Sequence, residues 1–161
     1  MNSKRVGMWS ALCITVLAVL PSAAAEKPVN ISLFPPLALV EPTDGVTAFR
    51  LNLIYGKNTT VELVDVGFIN QTTTMSKGLQ WGAINYNEGG FSGVQLGAVN
   101  YNKGAAGGLQ WGTFNYSGTA SGLQLAFVNY AETLQGLQIG MLNIAKQGGM
   151  FPFMVIANWK K

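Results

Sequence analysis

Gly78-Leu79-Gln80-Trp81-Gly82-Ala83-Ile84-Asn85-Tyr86 recurs as GVQLGAVNY from Gly93, GLQWGTFNY from Gly108, GLQLAFVNY from Gly122 and GLQIGMLNI from Gly136. Gln80, Gln95, Gln110, Gln124 and Gln138 follow one another at steps of 15, 15, 14 and 14 residues. Asn85, Asn100, Asn115, Asn129 and Asn143 keep the same steps. Self-similarity at a fixed short period is the signature of an architecture in which each copy buries its face only against its neighbours.

Worn copies continue the register outward. Leu63 to Asn70 fits with Asp65 in the glutamine column, and Ala48 to Tyr55 fits with Arg50 there. Beyond the last full copy, Phe151 to Trp159 keeps Asn158 at the right distance and loses the rest, which reads as a terminal repeat or cap. Val29 to Val40, interrupted by Pro35-Pro36, reads as an N-terminal cap strand. The repeats proper span 48–144 in a single β-repeat domain, 26–161.

Each copy alternates over its first half, with Leu79, Trp81 and Ala83 on one side and Gln80, Gly82 and Ile84 on the other. The stretches between copies, such as Asn87-Glu88-Gly89-Gly90 and Asn102-Lys103-Gly104, are turn chemistry. No helical period stands out, and the expected class is all-β. Two architectures can use such a unit. In a parallel β-solenoid of about eight 14–15-residue coils, like residues stack on like at ~4.8 Å. The glutamines and asparagines then form amide ladders, and Arg50 and Asp65 form a charge pair at the head of the glutamine column. The recurrent glycine (Gly67, Gly82, Gly97, Gly112 and Gly140) then marks a corner or a close backbone approach. The alternative is a small antiparallel outer-membrane β-barrel, to which the alternation of Phe49-Arg50-Leu51-Asn52-Leu53 is suited. Connectors of equal length and one internal order in every copy favour the solenoid.

The first 25 residues read as a cleavable signal peptide. Lys4 and Arg5 precede the apolar run Met8 to Leu20, and Ser22-Ala23-Ala24-Ala25 supplies small residues before Glu26. The apolar run is shorter than the ~20 residues that span a bilayer. From Glu26 onward there is no cysteine, since Cys13 is the chain's one cysteine, and histidine is absent throughout. Disulfides, thiolate nucleophiles, histidine bases and the usual zinc sites are thereby excluded from that part. Eight Lys/Arg stand against seven Asp/Glu there, a net charge near +1, with no basic run to suggest nucleic acid.

Candidate chemistry is thin. Asp65 is the one carboxylate inside a repeat core, and its sequence neighbours in register are Arg50 and Glu62, which makes a structural pair the expectation over acid–base catalysis. The turns lack the aspartates of calcium-binding repeats, and no cofactor is expected. Trp81 and Trp111 lie two copies apart in one column. They are expected to pack in a core or interface, and form a possible binding face if exposed. Tyr86, Tyr101, Tyr116 and Tyr130 read as a stacked ladder.

From roughly residue 30 to 159 the chain resembles a family of bacterial exported proteins described by their surface repeats. Phe49 to Gly56 (FRLNLIYG) and the five Gly-Leu-Gln-x-Gly-x-x-Asn copies carry that resemblance. It implies a location at or beyond the outer membrane and assigns no residue-level site. The order Gln138-Ile139-Gly140-Met141-Leu142-Asn143, followed by Ala145, also resembles the repeat of curli-type functional amyloids, an analogy for how the ladders stack. The chain ends on Lys160-Lys161, where an outer-membrane barrel typically ends on an aromatic residue. The functional expectation is an exported, non-enzymatic cell-surface or outer-membrane-associated protein, structural or adhesive. The alternatives are an integral barrel and a self-assembling fibre subunit. The expected partners are the outer membrane, a surface partner or further copies of the chain.

Overall fold

Identical residues of successive repeats lie side by side. In the computed structural model, which describes residues 25–161, Gln80 pairs with Gln95, Gln95 with Gln110, and Gln110 with Gln124, all in parallel register. Asn70, Asn85, Asn100, Asn115, Asn129 and Asn143 form a second continuous row. Apart from Ala25, the expected signal peptide lies outside the described residues. Among the described residues twelve strands, from Glu26–Phe34 to Phe153–Trp159, make one sheet, with no helix. The sheet winds as a parallel β-solenoid of about eight turns. An antiparallel barrel is overturned, because parallel pairing of each coil with the next is what a winding chain produces and an up-and-down chain cannot.

Repeat length sets the register. Each coil returns the chain to its starting column one strand spacing further along, so equal lengths bring equal residues together. The change from 15 to 14 residues is absorbed locally: Asn102 pairs with Ser117 and Ala105 with Thr119, so Lys103-Gly104 bulges opposite Gly118.

The interior is mostly polar. Gln80, Gln95, Gln124, Gln138 and the central asparagines are at most 1% exposed, whereas many Leu, Ile, Phe and Trp side chains lie outside. Buried apolar side chains are few: Phe91 and Ala106 lie in the middle coils, and two clusters lie toward the ends. Val40, Val46 and Val61 cluster beneath the N-terminal cap, and Ala120, Ala131, Leu134 and Ala145 cluster in the last coils. Burying an amide is costly unless its donors and acceptors are met. A parallel stack meets them, because each side chain finds its own copy one strand away.

Two sequence expectations need correction. The alternation breaks at Gly82-Ala83, where the chain bends, so Ile84 is exposed and does not share the side of buried Gln80. Asn85 and Asn87 then point inward, and Asn87 and Asn102 are strand residues of the core, with no place in a turn. The final segment is a cap and not a repeat coil. Phe153–Trp159 runs antiparallel to Leu137–Gln147 and sets Asn158 opposite Gln138, away from the asparagine row. Gly148, at φ 77°, begins the reversal, and Pro152 stands at the entry to the returning strand. At the other end Glu26–Phe34 joins the stack in parallel and folds back through Leu37–Ala38.

Candidate functional site

The two long amide ladders run in opposite directions. In the asparagine row each Nδ2 donates toward the C-terminal end: Asn85 to Asn100 at 2.8 Å, Asn100 to Asn115 at 2.9 Å, Asn115 to Asn129 at 3.0 Å. The same Nδ2 atoms donate to main-chain oxygens of the following coil, as Asn85 does to Leu96 and Asn100 to Trp111, which fixes the amide orientation. In the glutamine row each Nε2 donates toward the N-terminal end: Gln138 to Gln124, Gln124 to Gln110, Gln110 to Gln95 and Gln95 to Gln80. Opposed rows offset one another's dipoles while each polarises along its own length.

That polarity explains the charge pair. The last donor of the glutamine row, Gln80 Nε2, needs an acceptor, and Asp65 Oδ2 accepts it at 2.8 Å. A carboxylate buried at 1% exposure then needs a cation. Arg50, fully buried, supplies one through two 2.7 Å bonds, Nε–H to Oδ1 and a terminal N–H to Oδ2. The trailing acceptors of the rows, Gln138 Oε1 and Asn52 Oδ1, are left without a protein partner, as opposed polarity requires.

A third inward column was missed from the sequence. Asn87 and Asn102 donate across the coil to Gln80 and Gln95, and Ser117 donates to Gln110. Its signal was present: a small polar residue stands two places after the ladder asparagine in these copies, until Ala131 and Ala145 replace it. Asn100→Ala removes three bonds in a buried site: one accepted from Asn85 and two donated, to Asn115 and to the Trp111 oxygen. It is expected to lower unfolding free energy by about 2 kcal/mol or more, read from the urea midpoint.

The outer surface has two unlike sides. From the Leu79 column around the Gly82-Ala83 bend to the Tyr86 column the exterior is apolar. Trp81 and Trp111 are 59% and 61% exposed, which takes them out of the core and leaves them free for an interface or binding face. Two abutting shallow depressions share Trp81, Gly82 and Ala83 and run along the bend, one toward Leu51 and Phe68, the other toward Trp111 and Thr113. At the border the rings of Tyr86, Tyr101, Tyr116 and Tyr130 stack, with centroids 5.3, 4.4 and 5.2 Å apart.

Glu132 closes the tyrosine row. It accepts from Tyr116 at 3.2 Å and Tyr130 at 3.3 Å and pairs with Lys146. The Lys146 bond holds the Glu132 carboxyl below its ordinary value, and Lys146 is held above its own by the same contact. Burial raises the Tyr116 phenol, and the Glu132 charge adds to it. At the other end of that border burial raises Tyr55 against the opposing pull of Arg50. Tyr55 also donates to Gln71, which donates on to Glu88 at 2.8 Å. Among the described residues no group of His, Cys, Asp and Glu is placed to hold a metal ion. Set against known protein families, curated proteins and solved structures, the chain matches none.

Proposed function

We propose that this is an exported, non-enzymatic repeat protein of the cell surface or outer membrane, structural or adhesive, whose rigid solenoid offers one apolar flank to a partner. The observation that carries the reading is the exposure of Trp81 and Trp111 on one flank together with Phe68, Phe127 and Met141. Contiguous apolar surfaces beyond a few hundred Å² mark interaction sites. Asp65 has its oxygens committed to Arg50, Asn52 and Gln80, which supports a structural role for the one carboxylate of the repeat core. The Lys4-Arg5 start, the apolar run and the small residues before Glu26 support export. The covered ends support a discrete rod over an open fibre, since the antiparallel strand Phe153–Trp159 interrupts the parallel template.

The test is fractionation of cells that make the full chain, with N-terminal sequencing of the product and protease treatment of intact cells. The expected product begins at or near Glu26, is recovered outside the cytoplasm and is accessible in the envelope. An unprocessed chain in the cytosol overturns the proposal.

A further inference from the structure

The apolar flank is continuous through both caps. Val29 pairs with Phe49 at one end and Leu137 with Trp159 at the other, so nine rows share the Leu79 column. At ~4.8 Å per row the flank is about 38 Å long. Among those described, no charged residue stands in its outward columns from Leu79 to Ile84, and Lys57 lies in register with Gln71 and Tyr86 at the N-terminal end of the tyrosine border. The exposed pairs Glu62–Lys77 and Glu132–Lys146 lie on the other side of the coil or beyond the tyrosine border. Lys103 stands exposed two residues past Tyr101, just outside that border.

We propose that the partner of this flank is membrane lipid: the solenoid lies with its axis along the bilayer surface, the flank among acyl chains and the tyrosine row at headgroup level. This rests on the flank being partner-facing, as argued above, and specifies the partner's chemistry. By length alone the flank would also serve a second copy of the chain, so its hydrogen-bonding inventory decides. A protein interface carries about one hydrogen bond per 100–200 Å². Along these rows the side-chain groups able to make one are few, chiefly the indoles of Trp81, Trp111 and Trp159 and the Thr113 hydroxyl. Backbone groups must also be satisfied before a surface can meet hydrocarbon. Here many are spent along the solenoid axis between coils, as in the bonds from Gly82 to Leu96, Val99 to Ala83 and Val128 to Thr113, which leaves few for an outside partner. Half-buried tyrosines bordering exposed tryptophans are the amphipathic residues that membrane interfaces select. Lys103 beside them is placed to meet a phosphate, while Glu88 and Glu132, at the equivalent places of other coils, are engaged by Gln71 and Lys146.

The experiment is flotation of the full chain, as processed by an exporting host, with vesicles of phosphatidylcholine, alone or mixed with phosphatidylglycerol. Brominated acyl chains then report tryptophan depth. The chain is expected to float and its tryptophan emission to be quenched. The double variant Trp81→Gln/Trp111→Gln should lose at least tenfold in partitioning, while Ala105→Gln, on the opposite side, should partition as the parent does. Circular dichroism of the double variant checks that its β content is kept. A folded, monomeric chain that does not float overturns both the lipid assignment and the apolar flank as its basis. A chain that does not float but self-associates, and is returned to monomer by the double variant, overturns lipid alone and leaves the flank as a partner surface. Flotation unchanged by the double variant also overturns the assignment. Stronger binding to the anionic vesicles would place phosphate contacts at the border; equal binding would leave the acyl chains as the recognised part.

Discussion

Asp65→Asn is expected to cost about 3–5 kcal/mol of unfolding free energy, because it strands the Arg50 guanidinium in a site with no water. The asparagine cannot stand in for the carboxylate. Asp65 accepts from Arg50 twice, from Asn52 at 3.3 Å and from Gln80 at 2.8 Å, and donates to none of them. An amide nitrogen in its place would face a donor on one side or the other. The double variant Arg50→Gln/Asp65→Gln should recover most of the loss. Glutamine is longer than Asp and shorter than Arg, so the combined reach is nearly kept, and two more rungs extend the existing row. Breaking a buried pair leaves a lone charge, whereas replacing both partners removes the desolvation cost along with the attraction. Urea unfolding of the two variants beside the parent checks both parts. A double variant as unstable as the single one would mean that the ion pair supplies more than an ending for the glutamine row.

How much of this was legible in the sequence follows from what each residue does. The steps from Gln80 to Gln138 favoured a parallel winding, since a chain that returns to the same column benefits from repeating an amide there. The Arg50–Asp65 contact followed from the same columns. The sidedness was harder to read. The usual expectation that large apolar residues are inside points Trp81 and Trp111 toward packing, and in this solenoid that expectation is inverted. The stacked amides form the interior, and Trp81 and Trp111 are displaced to the surface. Asn87 and Asn102 looked like turn residues because they stand beside glycine. Their inward position depends on the bend at Gly82-Ala83, which the recurrent glycine marks as a corner without showing that it resets the alternation. The reversal at Phe153–Trp159 was hidden because Asn158 falls at a repeat-like distance by spacing alone. The apolar flank as a continuous surface was visible only once the rows were assembled, for it is made of residues 14 or 15 apart.

The second large effect separates two adjacent glycines. Gly108→Ala is expected to destabilise by about 3 kcal/mol or more: ~1–2 for a side chain in left-handed backbone and ~1–3 for overpacking. Gly108 sits at φ 92°, and a Cβ there would lie 2.1 Å from the carbonyl oxygen of Gly93 in the preceding coil. The obstacle is backbone on the stacking axis, so relief requires separating two coils, with loss of the register on both sides. The column repeats the problem at Gly93 and Gly122, where the oxygens of Gly78 and Gly108 would be 2.0 and 1.9 Å away. Gly107 precedes Gly108 in the same strand, and there a Cβ meets Ser121 Oγ at 3.5 Å, an ordinary contact. Gly107→Ala is therefore expected to be neutral or to stabilise, by about 0.4–1 kcal/mol, through the lost freedom of the unfolded chain. Urea midpoints for the two variants, with unchanged slopes, provide the measurement. The opposite signs come from backbone conformation and direction together: the Cβ at 108 is in left-handed backbone and points onto the Gly93 carbonyl, whereas the one at 107 meets only the Ser121 side chain at an ordinary distance. Equal losses at both positions would show that the glycines serve flexibility, and that close approach of neighbouring coils is not what selects them.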